Sequence, residues 1–88
     1  MIFIVLGKFR RKLTKESVGE VNKYIEKLAK EGVKFKAMYW TLGKYDTIGI
    51  FEAPDEKAAM KAMNGVSDVA ETQTLVAVPR EEAARLLE

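Results

Sequence analysis

Tyr45 and Asp46 set a phenol beside a carboxylate, immediately before the β-branched and apolar run Thr47 to Phe51. At the mouth of a strand such a pair can orient a polar ligand, or pass protons to it as general acid and base. The same residue types also build turns. Asp accepts from turn N–H groups, and Tyr covers the end of a sheet with its ring. Glu52 and Glu71 are the other acids inside strand-like runs. A carboxyl buried there would be pushed toward the range of a general base, although Lys36 is placed to pair with Glu52 and leave it a satisfied surface charge. Tyr45, Asp46 and Glu71 are therefore the candidate catalytic residues. Tyr39, Thr41, Tyr45, Asp46 and Phe51 are the candidate lining of a largely apolar pocket near the Gly43–Asp46 turn. With Trp40, the aromatics among them serve equally well as core or interface packing, and the threonines as simple strand formers.

What is missing narrows the chemistry further. The 88 residues contain neither His nor Cys. That removes Ser-His-Asp catalysis, thiolate nucleophiles, disulfides, and the usual zinc and haem ligands. The acids show no spacing that assembles an oxygen-ligand metal site, so no metal and no cofactor are expected. Lys8, Arg10, Arg11, Lys12 and Lys15 form one basic segment, with Phe9 available to stack on a base. Fifteen basic against thirteen acidic side chains leave a net charge of only +2, which argues against nucleic acid as a partner and for a solvated loop.

These residues must be positioned by one domain spanning residues 1–88, since a second core does not fit a chain this short. A 48% apolar and 32% charged composition is that of a folded chain. Its Lys and Glu excess, with few amides, resembles hyperthermophile usage. The opening run Ile2 to Leu6 is too short for a membrane span or a signal peptide, giving a cytoplasmic expectation. Ile2 to Gly7 is apolar on both parities and predicts a buried strand. Val18, Val21, Tyr24, Ile25 and Leu28 recur at helical spacing between Thr14, an N-cap candidate with Ser17 as a second, and Gly32, a helix stop. Val33 to Leu42 and Thr47 to Glu52 predict strands around the turn Gly43 to Asp46. Asp55 caps a second helix that ends at Asn64-Gly65, with Met60 and Met63 as core filler. Ala70 to Val78 predicts the last strand. Pro79 breaks it before a short tail helix anchored by Leu86 and Leu87. The order β-α-β-β-α-β plus tail is the ferredoxin-like pattern, an α+β fold with a four-stranded antiparallel sheet and both main helices on one face.

Both parities of the strands carry large apolar groups, and helices cover only one. The other face predicts a homodimer or higher oligomer, sheet against sheet, enclosing a small chamber. Pairing the hairpin so that Lys36 meets Glu52 places Met38 opposite Ile50 and Trp40 opposite Ile48. It also sets Ala37 opposite Phe51 and Tyr39 over Gly49.

The run Thr41-Leu42-Gly43-Lys44-Tyr45-Asp46, followed by Glu52-Ala53-Pro54-Asp55, resembles the GYD-domain family. So do the run Thr72 to Val78 and the pair Glu81-Glu82. The resemblance covers nearly the whole chain and implies a dimeric α+β barrel. It implies no activity. Fold relatives include cofactor-free monooxygenases, haem-degrading enzymes, muconolactone-isomerase-like proteins and effector-binding domains of leucine-responsive regulators, by analogy of fold alone. The expectation from residues and resemblance together is a homo-oligomeric domain that binds a small molecule between sheets, with a possible regulatory role. A cofactor-free enzyme of the monooxygenase or isomerase type, and a structural or partner-binding module, are the alternatives.

Overall fold

Thr14 starts the first helix with a reciprocal cap. Its hydroxyl accepts from the Ser17 N–H at 3.1 Å, while Ser17 Oγ accepts from the Thr14 N–H at 2.8 Å. The helix stops at a left-handed glycine. Gly32 has φ +92°, Val33 N–H donates to the Leu28 carbonyl at 2.9 Å, and Gly32 N–H to that of Ala29 at 3.3 Å. This is the double-bonded C-terminal motif that favours Gly at that position. Asp55 caps the second helix by accepting from Ala58 N–H at 2.8 Å. These local signals divide the computed structural model, which describes all residues 1–88, into its elements. They are β1 Ile2–Phe9, α1 Lys15–Lys30, β2 Lys34–Trp40, β3 Thr47–Glu52, α2 Glu56–Asn64, β4 Ala70–Ala77 and α3 Arg80–Ala84, the last continued by a 3-10 turn Arg85–Leu87.

The sheet is open, antiparallel throughout and ordered β2-β3-β1-β4. The fold is therefore the α+β, ferredoxin-like one. Phe3 and Val5 of β1 lie opposite Phe51 and Gly49 of β3, and these positions face the helices. Phe51 is fully buried, stacks on Phe3 at 5.2 Å and meets the tilted ring of Phe35 at 5.0 Å. Leu28 of α1, Val33, Ala53, and Ala59 and Ala62 of α2 close this core. Successive residues in a strand point to opposite faces. Ile2, Ile4, Leu6, Ile48, Ile50 and Leu75 accordingly lie on the other face, which no helix of the chain covers.

The β2–β3 register differs from the expected one. Lys34 and Phe35 face Glu52 and Phe51, then a bulge at Lys36 adds a residue, and Ala37 to Trp40 face Ile50 to Thr47. Tyr39 therefore lies opposite Ile48 on the open face, Trp40 opposite Thr47 and Met38 opposite Gly49 on the helix face. The aromatic over Gly49 is Phe35, whose ring would stand 3.0 Å from a Cβ there. The expected Lys36–Glu52 contact exists, but as an ion pair of 3.0 Å reaching back from the bulge. The Lys36 hydrogen bond, reinforced by its charge, holds the Glu52 carboxyl below its ordinary value. The contact is thus intact at neutral pH and is lost as pH falls through that lowered value.

Two further expectations change. Met60 is exposed rather than core filler, whereas Met63 does pack on the core. Leu86 and Leu87 do not anchor the tail. Leu87 is 90% exposed and no residue of α3 or the turn after it is buried. A tail this short has no surface of its own chain beneath both leucines. The molecule is extended for its size, with a radius of gyration of 13.9 Å where about 12 Å is typical. It exposes 6730 Å², roughly 1,500 Å² more than the ~5,200 Å² usual for a monomer of 9.9 kDa.

Tyr24 ties the two main helices together. Its hydroxyl donates to the Ala62 carbonyl at 2.8 Å, one of the acceptors that the end of α2 leaves free. A Cβ at Gly65 would overlap that hydroxyl. Gly65→Ala is expected to lower stability by about 1–3 kcal/mol in urea denaturation. An unchanged midpoint would mean that the Tyr24 contact is not held.

Candidate functional site

The turn residues come together at one end of the sheet. Thr41 N–H donates to the Asp46 carbonyl at 2.8 Å, and the Thr41 hydroxyl to the Tyr45 carbonyl at 2.7 Å. Asp46 Oδ2 accepts from the Phe9 N–H at 2.9 Å, while the Asp46 N–H donates to the Gly7 carbonyl at 2.8 Å. Odd residues of β1 direct their backbone groups toward β3, as the bond from Ala53 N–H to the Met1 carbonyl shows. At Phe9 the partner strand has already turned away, and the Asp46 carboxylate replaces the missing carbonyl. Tyr45 reaches across the end of β1 and donates to Gln73 Oε1 on β4 at 3.0 Å, with Lys44 Nζ 5.6 Å from its ring centre.

Both Asp46 and Tyr45 are thus engaged in holding the turn. Thr41 does the same, and Tyr39 stands exposed on the open face. Phe51 is on the opposite side of the sheet, fully buried, so it does not join the other four around one pocket. Glu71 is exposed, across from Lys8. In the basic segment, Arg10 Nε donates to the Ser67 carbonyl at 2.8 Å and Arg11 lies 3.8 Å from Asp68. Phe9 is half-buried and packs edge-on against Trp40 at 6.5 Å, which removes it as a stacking platform.

A cavity of about 250 Å³ lies instead between α1 and the helix face of the sheet. Its floor is made of small side chains from three strands: Gly49 and Thr47 of β3, Ala70 and Thr72 of β4, and Val5 of β1. Its roof is the helical face Val18, Val21 and Ile25. Only Leu28, near the C-terminal end of α1, is buried. The N-terminal half of the helix spans the gap that the small floor residues leave. Trp40 and Met38, on the edge strand β2, line the cavity while remaining 67% and 46% exposed, so the opening lies along that edge. No lining residue carries a formal charge. Tyr24 is the one lining residue with a titratable group. Burial, and then the Glu31 charge, raise its pKa, and its proton is committed to Ala62.

Sequence reasoning read the roof residues as one apolar helical face and Trp40 as part of a hairpin aromatic group. The signal it lacked was the coincidence of Thr47, Gly49, Ala70 and Thr72 on one face, which becomes visible only once the strands are paired. No three His, Cys, Asp or Glu side chains converge as a metal site. No helix is long and apolar enough to cross a membrane.

A split βαβ sheet with a bare second face and an uncharged cavity beneath its first helix defines a small α+β domain of the ferredoxin-like class. The family profile of the GYD domain matches residues 3–87, and the chain belongs to that family. No curated protein matches its sequence.

Asp46→Ala leaves the Phe9 N–H without its acceptor and is expected to lower stability by about 1–3 kcal/mol. Asp46→Asn keeps an acceptor oxygen and is expected to lose less. Equal denaturation midpoints for wild type and Asp46→Ala would remove the carboxylate from this role.

Proposed function

We propose that this chain is a self-associating binding domain for a small, uncharged, apolar molecule held under α1. The observation that carries the reading is the 250 Å³ cavity with no charged lining residue and a mouth framed by Trp40 and Met38. A drug-sized ligand needs roughly 300–1,000 Å³. The volume therefore selects something smaller, such as one or two fused rings or a short acyl chain. Asn22 at the rim and the hydroxyls of Thr47 and Thr72 on the floor are the polar groups able to fix its orientation. Binding is favoured over turnover because the lining offers no free acid or base, Tyr24 being already bonded.

The second half of the reading is a partner copy laid over the bare sheet face. The roughly 1,500 Å² of excess exposed surface supports it. Such a copy would put Tyr39, and Tyr45 with its Gln73 partner, at the boundary between the two sheets. The expected pocket near the Gly43–Asp46 turn belongs there, as a second and shared chamber.

Trp40 is the single tryptophan and reports on the cavity directly. Naphthalene-type and medium-chain alcohol probes are expected to shift its emission saturably and to raise the melting temperature. Thr72→Phe, which fills the floor, is expected to abolish both effects. A probe response that survives this substitution would place binding elsewhere. Separately, Ile50→Glu puts a charge on the bare face. It is expected to reduce the mass seen by light scattering, and an unchanged mass would reject the sheet-to-sheet contact.

A further inference from the structure

We infer that the β4 edge is a second self-association surface, pairing antiparallel with β4 of another copy along Thr72, Thr74 and Val76. β4 has β1 on one side and no strand on the other. The Arg10 N–H donates to the Val69 carbonyl at 2.9 Å, which fixes the alternation of the ladder. In the β1–β4 register, Glu71, Gln73, Leu75 and Ala77 turn their backbone groups toward β1. Thr72, Thr74 and Val76 turn theirs outward. The Ala70 N–H, of the same parity, agrees by bonding to the Val66 carbonyl instead of β1.

The two edges of the sheet are built differently. Exposed edges are normally blunted by bulges, lysines or proline. Edge β2 has a bulge and two lysines, Lys34 and Lys36. Edge β4 has eight residues in unbroken register with no lysine, proline or bulge. Its one charge, Glu71, lies across from Lys8 on the open face.

Beside this edge, on the helix side, runs a groove of about 270 Å³ between α2 and β4. Met60 and Val76 line it and are 66% and 58% exposed. An antiparallel partner strand would carry its own α2 alongside and cover that stripe. The occupant that fits is a second copy of this chain. A two-fold axis at Thr74 sets Thr72 against the second copy's Val76, Gln73 against its Leu75 and Glu71 against its Ala77, so no like charges meet. The surface balance agrees. A standard interface buries about 800 Å² per partner, and the excess of roughly 1,500 Å² is nearly twice that, more than one interface would take up. Thr72 alone is common to this edge and the α1 cavity: its side chain lines the cavity floor while its backbone N–H and C=O face outward, so the pairing does not depend on what fills the cavity.

The test combines particle mass with amide exchange on the full chain. In wild type at millimolar concentration, the Thr72, Thr74 and Val76 amides are expected to exchange at least about tenfold more slowly than on dilution to a single copy. The open-face variant Ile50→Glu should keep that protection. Thr74→Pro removes an outward N–H that makes no bond within the chain. Val76→Lys adds a charge at an exposed position. Each is expected to reduce particle mass at least twofold, and Val76→Lys decides the matter if the proline variant does not fold. Unprotected amides at all three positions, or a folded Val76→Lys of unchanged mass, would overturn the edge pairing.

Discussion

A central strand that is apolar on both faces cannot be satisfied by one layer of helices. β1 carries Phe3 and Val5 toward the helices and Ile2, Ile4 and Leu6 away from them. One face becomes a core with its neighbours, because Phe3 stacks on Phe51 there, Phe35 packs against the pair, and α1 and α2 close over them. The other face has only water or another molecule to meet. The low count of eleven buried residues and the surface excess follow from this face together with the unburied tail. Burial of apolar area contributes about 25 cal/mol per Å². A single copy that leaves so much of it in solvent goes without that part of the stabilisation.

The helix face is also divided, by side-chain size. Where β1 begins and β3 ends, Phe3 and Phe51 fill the space under the helices and the core is closed. Toward the turn end, the same face presents Gly49, Thr47, Ala70 and Thr72. The floor is low there and α1 bridges it. Closed core and cavity are thus two ends of one layer, and the turn that holds Asp46 and Tyr45 stiffens the second end without entering the cavity. Asp46 completes the β1 ladder at Phe9, which in turn packs on Trp40 at the cavity mouth.

Much of this architecture was legible in the residues. The caps at Thr14 and Asp55, the stop at Gly32 and the break at Pro79 gave the element order, since each acts through bonds a few residues long. The bare apolar face followed from strand parity. The hairpin register was not legible. Lysines at both 34 and 36 offer Glu52 a partner, and a bulge leaves no mark on an apolar pattern, so the pairing slipped and carried Tyr39 and Trp40 to the wrong faces. The same slip grouped Phe51 with Tyr39, which the bulge places on the opposite face of the sheet. The cavity was hidden because its floor draws on residues far apart in the chain, each of which reads alone as an ordinary strand former.

The fastening of α1 has a mechanical meaning. Leu28, the bonds at Gly32 and Val33, and the Tyr24 hydroxyl on Ala62 all grip the C-terminal half of the helix. The half beginning at Thr14 rests on side chains that meet empty space. The helix is a cantilever in form, clamped at the closed core and spanning the void with half-buried side chains. The packing of the phenylalanines and the span of the helix over the chamber are thus separate features of one layer, the first fastened to the C-terminal half of α1 and the second lying under its N-terminal half.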